Sequence, residues 1–178
     1  MSRTITFSRT FPAYHPKAGQ PTFFVEGILT QLGINRTTHD YLLWLKINNP
    51  EISELFLSDF YDSLSENIEQ KSHTIRAHKN PLKVGEFINP KCWADKPYNK
   101  TKEGFWQIKF APDIQIKKTW NFSKDILSGE FYLDGFDATT HLEMIAKNDG
   151  LSLQDFKDWF NKPVANAQIN CWNENIKY

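Results

Sequence analysis

The first apolar positions alternate. Thr4-Ile5-Thr6-Phe7-Ser8 sets Ile5 and Phe7 against three hydroxyl residues, the period-two pattern of a half-buried strand. Pro12, Pro16 and Pro21 make the next stretch a loop. Thr22 is placed to cap a helix from Phe23 to Leu32 with Gly33 as its stop. Thr38 is placed to cap a second helix through Tyr41, Leu42, Leu45 and Ile47, ending at Asn48-Asn49-Pro50. Beyond Pro50, apolar residues recur every three or four positions (Ile52, Leu55, Phe56, Phe60, Leu64, Ile68), which predicts a long amphipathic helix reaching Glu69.

After Lys71 the period shortens. His73-Thr74-Ile75-Arg76 predicts a short strand, Val84-Gly85 a turn into another, and Asn89 to Gly104 a long polar loop carrying Trp93, Pro97 and Tyr98. Phe105 to Phe110 and Asp113 to Phe122 are alternating runs broken at Ala111-Pro112, and Glu130 to Leu133 predicts a further short strand. Asp137 is read as opening a helix through Leu142, Ile145 and Ala146, with Asn148-Asp149-Gly150 as its stop. Ser152-x-x-Asp155 resembles a capping box for a helix from Leu153 to Phe160, and Asn166 to Trp172 closes as a strand. This order predicts an α+β fold with a mixed, mostly antiparallel sheet whose strands after Lys71 can close into a small β-barrel. Without a repeat, a low-complexity tract or a linker, residues 1–178 read as one domain.

Composition narrows the classes. Fourteen Phe, six Trp and six Tyr supply ample core area, and no apolar run approaches a membrane span. The N-terminus has no charged-then-apolar leader, and two distant cysteines make no disulfide framework. A soluble, cytoplasmic, monomeric protein is expected, so the Asn-x-Ser/Thr matches at Asn35, Asn99 and Asn121 carry no weight. Five histidines without an i,i+4 pair, and no Cys-x-x-Cys, predict no metal. No Gly-rich phosphate loop or Gly-x-Ser-x-Gly elbow is present, and no cofactor is expected.

The net charge of zero excludes bulk coating of nucleic acid, but it conceals a segregation. Lys and Arg number 5 against 8 Asp and Glu up to Gln70, 11 against 4 from Lys71 to Lys118, and 5 against 9 thereafter. A basic middle can hold a nucleotide or a short RNA; it can equally be lysines decorating exposed strands. Trp93 and Tyr98, among Lys91, Lys96, Lys100 and Lys102, suit base stacking with phosphate contact, or Trp93 simply anchors the loop. Trp106, Trp120, Trp159 and Trp172 read as core.

The most informative stretch is Lys71-Ser72-His73-Thr74-Ile75-Arg76, followed by Leu82-Lys83-Val84-Gly85-Glu86. Lys-x-x-Thr-x-Arg after an amphipathic helix, then Lys-x-Gly-Glu into a strand, resembles the ASCH domain family, whose small β-barrel is related to the RNA-binding PUA domains. Within that family the pattern is most similar to the small bacterial acetylcytidine amidohydrolases. The resemblance covers Thr4 to Arg9 and Leu55 to Trp172. It leaves 10–54 as an insertion after the first strand and 89–104 as an inserted loop. It implies Thr74 as nucleophile, Lys71 as catalytic lysine, Arg76 as the arginine two residues on, and Asp149 at the position of a catalytic glutamate. Two departures stand out: Glu69-Gln70 replaces a glycine commonly found before the lysine, and Asp149 is one methylene shorter than Glu.

The chemistry has its own logic. A threonine hydroxyl needs a neighbouring base, and a lysine serves once burial or nearby positive charge depresses its proton affinity. Arg76 and His73 can contribute to that. Residues 71 and 74 would face opposite ways on an unbroken strand, so Lys71 must sit at the corner before it, while Thr74 and Arg76 share a face. Asp149, ahead of a helix, can orient the amine or relay a proton. The implied substrate is an acylated cytidine, with Arg76, His73, Lys83, Trp93 and Tyr98 as substrate-binding candidates. Each residue has a plainer reading: Thr74 as a β-branched strand residue, Lys71 as a helix-end cation, Asp149 as a turn former, Arg76 as a structural ion-pair partner. The rival functions are a non-catalytic RNA-binding module and an ASCH-type ribonuclease in which Lys71 and His73 act as acid and base.

Overall fold

The structure is a computed structural model that describes residues 2–64, 68–77, 79–94 and 107–178. The first strand, β1 (Arg3–Phe7), buries Ile5 and Phe7 and turns Thr4 and Thr6 outward, as the alternation predicts. Three helices follow: α1 (Phe24–Gln31), α2 (His39–Asn48) and α3 (Glu54–Asp62). Thr38 caps α2 as expected, accepting from the Tyr41 amide at 3.4 Å. Thr22 does not cap α1. Its hydroxyl donates to the Ser8 carbonyl at 2.6 Å, and the cap position is Phe23 in the left-handed region (φ 56°). The long helix expected to reach Glu69 stops at Asp62, where Ser63 turns its hydroxyl onto the Phe60 carbonyl and competes with the helix ladder.

The remaining elements are β2 (His73–Ala77), β3 (Phe87–Trp93), β4 (Gln107–Lys109), β5 (Ile114–Gln115), β6 (Lys118–Lys124), β7 (Phe131–Leu133) and β8 (Phe136–Asp137). They are followed by α4 (Leu142–Asn148), α5 (Leu153–Trp159) and β9 (Val164–Cys171). The residues expected to begin a polar loop at Asn89 instead extend β3 as far as Trp93, because Pro90 and Cys92 pack inward and alternate with the outward Asn89 and Lys91. Asp137 does not open a helix; it ends β8 and accepts from the Thr139 amide at 2.9 Å ahead of a single 3₁₀ turn. The Ser152–Asp155 cap of α5 is present, with the Asp155 amide donating to the Ser152 hydroxyl at 3.1 Å.

The fold is α+β. One sheet has β3 at its centre, with β1 parallel to it and β4 and β5 antiparallel. The other is antiparallel throughout, in the order β2-β9-β6-β7-β8. Among the described residues these are two separate sheets, with no ladder joining them into a closed barrel. Their buried faces share one hydrophobic core, and Phe7 of the first sheet meets Phe110 and Trp172, the residue that follows β9, edge-on at 5.9 and 6.3 Å. Among the described residues no helix is long and apolar enough to cross a membrane.

Candidate active site

Sequence places Lys71 just ahead of β2, and the structure builds that corner tightly. The Lys71 amide donates to the Gly27 carbonyl of α1 at 3.0 Å, the Ser72 amide to the Asn148 carbonyl at 2.8 Å, and the Trp172 indole N–H to the Lys71 carbonyl at 3.1 Å. A methyl group at Gly27 would lie 2.8 Å from the Glu69 carbonyl and 3.1 Å from Lys71 Cβ. A helix-interior glycine costs about 1 kcal/mol relative to alanine, and close approach to this corner is its reason here. Gly150, with φ 77°, ends α4 and packs against the stem of the same lysine.

So held, Lys71 is 1% exposed and its ammonium meets Asp149 twice, at the backbone carbonyl and at Oδ1 (2.5 Å). Its Nζ lies 4.1 Å from the centre of the Phe24 ring. Burial pushes the Lys71 amine below the ordinary lysine value, with Asp149 opposing that and Arg76 adding to it. Burial likewise raises the Asp149 carboxyl against the pull of Lys71 and Arg76. Desolvation thus pushes both partners toward their neutral forms, the amine downward and the carboxyl upward.

Above this pair opens a cavity of about 590 Å³. Thr74 and Arg76 line it from one face of β2, with Thr4 and Thr6 across from them on β1. Arg76 joins the two sheets: Nη2 donates to the Thr6 carbonyl at 2.8 Å, and Nε donates to Thr74 Oγ1 at 3.2 Å. A cationic donor on that oxygen favours its deprotonated form. Gln107 of β4 donates to Thr6 Oγ1 at 2.7 Å, and Trp93, Phe24, Trp159 and Phe160 supply an aromatic wall. The cavity thus has a polar side and an apolar side, the make-up of a small-molecule site.

The structure therefore brings together Lys71, Thr74, Arg76, Asp149 and Trp93. It does not bring in the other candidates. Lys83 sits in the turn before β3, exposed, its amide bonded to Glu86 at 2.9 Å, away from the cavity. His73 is fully buried behind the floor, since its place on β2 turns it away from Thr74; Nε2 lies 3.8 Å from Asp149 Oδ1 and Nδ1 is 2.8 Å from the Tyr178 hydroxyl. Burial and then the charge of Lys71 push its imidazole well below the ordinary histidine value, opposed by the Ile145 carbonyl. Tyr98 and Trp106 lie outside the described residues. Trp159, expected in the core, borders the cavity. Phe24, Thr6 and Gln107 were not anticipated at the site, although the interior glycine of α1 and the outward hydroxyls of β1 both mark it in the sequence.

Among the described residues no group of three or more His, Cys, Asp or Glu is placed to hold a metal ion. No family model, curated protein or solved structure matches the chain.

Proposed function

We propose that this cavity hydrolyses the amide on the exocyclic nitrogen of an acylated cytidine. The observation that carries the reading is the burial of the Lys71 amine against Asp149 beneath a cavity wall that presents Thr74 Oγ1 to an arginine donor. Lys71, as the neutral amine, takes the Thr74 proton as the oxygen attacks the acyl carbon. The C–N bond breaks, the proton passes to the departing nitrogen with Asp149 supporting the lysine, and cytidine leaves. Water then cleaves the ester on Thr74, releasing the carboxylic acid and restoring the hydroxyl. The Arg76 donor steadies charge on the attacking oxygen, and the aromatic wall of Phe24, Trp159 and Trp93 suits the pyrimidine.

The same reading takes the two sheets as the parts of an ASCH-type, PUA-like β-barrel. Residues 10–54 are then an insertion whose first helix supplies Phe24 to the site. A second reading, a nucleotide or RNA grip, is favoured by Lys91 and Lys109, which are directly paired on β3 and β4 beside the cavity residues Trp93 and Gln107. A ribonuclease using His73 has less support, because that imidazole is enclosed.

The test is acid quenching of the protein during turnover of acetylcytidine, followed by peptide mass spectrometry. An acyl group on the peptide carrying Thr74, absent from Thr74→Ala, is expected; cytidine release with Thr74 never acylated would overturn the nucleophile assignment. Binding of single-stranded RNA that collapses with salt, with no turnover, would select the grip instead.

A further inference from the structure

Behind the floor of the cavity, Tyr178 touches both segments that present the buried pair. Its hydroxyl is 2.8 Å from His73 Nδ1, two residues after Lys71, and accepts a hydrogen bond at 3.2 Å from the side-chain amide of Asn148, the residue before Asp149. Its ring stands edge-on to Trp120 at 4.8 Å, so the phenol is held where it is.

The protons can be counted. A phenol has one, and an amide N–H can only donate. With Asn148 donating to one lone pair of the Tyr178 oxygen, the phenol proton has His73 Nδ1 as its acceptor, and in this arrangement Nδ1 is the bare nitrogen. The imidazole proton is left on Nε2, the nitrogen 3.8 Å from Asp149 Oδ1. Among the described residues that nitrogen has no hydrogen-bond partner within normal geometry; the Ile145 carbonyl also acts on the imidazole, and Tyr178 acts on its tautomer from the Nδ1 side.

We infer that Tyr178 is a positioning residue of this site: through His73 it keeps an N–H, in place of a lone pair, facing the carboxylate that holds Lys71. With the opposite tautomer a nitrogen lone pair would face Asp149 Oδ1, repelling the carboxylate and turning it off the lysine. The inference rests on the proposed hydrolysis for its catalytic consequence and on geometry alone for the tautomer.

The test is nitrogen NMR of the ¹⁵N-histidine-labelled protein, with hydrolysis of acetylcytidine followed in parallel, comparing wild type with Tyr178→Phe. Phenylalanine keeps the ring against Trp120 and removes only the hydroxyl. Expected are a neutral His73 protonated on Nε2 in the wild type and a shift toward the Nδ1–H form in the variant. A fall in kcat of about tenfold or more with KM unchanged should accompany it. A wild-type His73 protonated on Nδ1 would overturn the inference, as would a variant with unchanged His73 signals. A shifted tautomer with unaltered kcat would overturn the positioning role. A wild type that hydrolyses no acylated cytidine would sink the proposed function, while the tautomer comparison would still decide whether Tyr178 controls His73.

Discussion

The molecule contains the same three residue types twice, with opposite outcomes. Lys71, His73 and Asp149 meet beneath the cavity; Lys17, His15 and Asp155 meet where the proline-rich loop crosses α5. Both carboxylates are largely enclosed, and both histidine side chains are fully so. The difference is the lysine: the Lys71 side chain is 1% exposed and that of Lys17 is 47% exposed. At Asp155 desolvation is outweighed by hydrogen bonds from Lys17 and Ser152 and by the charge of Lys17, so the carboxyl is held below its ordinary value. At Asp149 desolvation wins and the carboxyl is raised. A solvated ammonium makes a tether; a buried one makes a desolvated pair whose charges the fold pays to hold.

Removing each lysine should separate the two most sharply. Lys71→Met leaves Asp149 buried without its partner and should cost about 3 kcal/mol or more in urea unfolding, along with all hydrolysis. Lys17→Met should cost no more than about 1 kcal/mol, because the Lys17 ammonium is half solvated and Ser152 still holds Asp155. A smaller but more selective effect is expected from Gly27→Ala. The added methyl meets the Glu69 carbonyl and Lys71 Cβ, which should cost about 1–3 kcal/mol and displace the amine, with a loss of about a hundredfold in kcat/KM. Arg76→Lys keeps the charge but loses the fork that spans the Thr6 carbonyl and Thr74 Oγ1, so kcat should fall with little change in stability.

The smallest effect is in the pH dependence of stability, where the two acids should have opposite signs. Asp155, depressed in the fold, contributes stability that is present above the unfolded carboxyl value of about 3.9 and is lost as pH falls through its lower folded value. Asp149, raised in the fold, binds a proton there that the unfolded chain has already released, so its contribution falls as pH rises from about 3.9 through the folded value. Lys71, lowered in the fold, adds stability as pH rises from its folded value toward about 10.4. Thermal melts across the acid range should show Asp155→Asn losing less stability on acidification than the wild type; an unchanged slope would mean that Asp155 is not held by Lys17.

The contrast also explains what was legible in the sequence. Ile5 and Phe7, the Thr38 and Ser152 caps, and the corner that puts Lys71 before β2 all follow from local patterns, because period and capping act over a few residues. The side of β2 that Thr74 and Arg76 share followed from the strand period, and so did the exclusion of Lys71 from it. Non-local encounters were not legible. Lys83 is near Arg76 in sequence but lies on a turn away from the cavity, whereas the distant Phe24 lies beside the Lys71 ammonium and the distant Tyr178 meets His73 and Asn148 behind the cavity floor. Nor does residue type distinguish Lys71 from Lys17; only the packing of α1, Gly150 and Trp172 around one of them does.

On the proposed mechanism, burial makes the first of these pairs, and not the second, catalytic machinery. Release of cytidine from acetylcytidine by the wild type, Thr74→Ala, Lys71→Met and Lys17→Met tests it directly, with folding of each checked by circular dichroism. The account predicts turnover by the wild type and Lys17→Met and none by the other two. Undiminished turnover in Lys71→Met or Thr74→Ala, or no turnover of any acylated cytidine by the wild type, would contradict it.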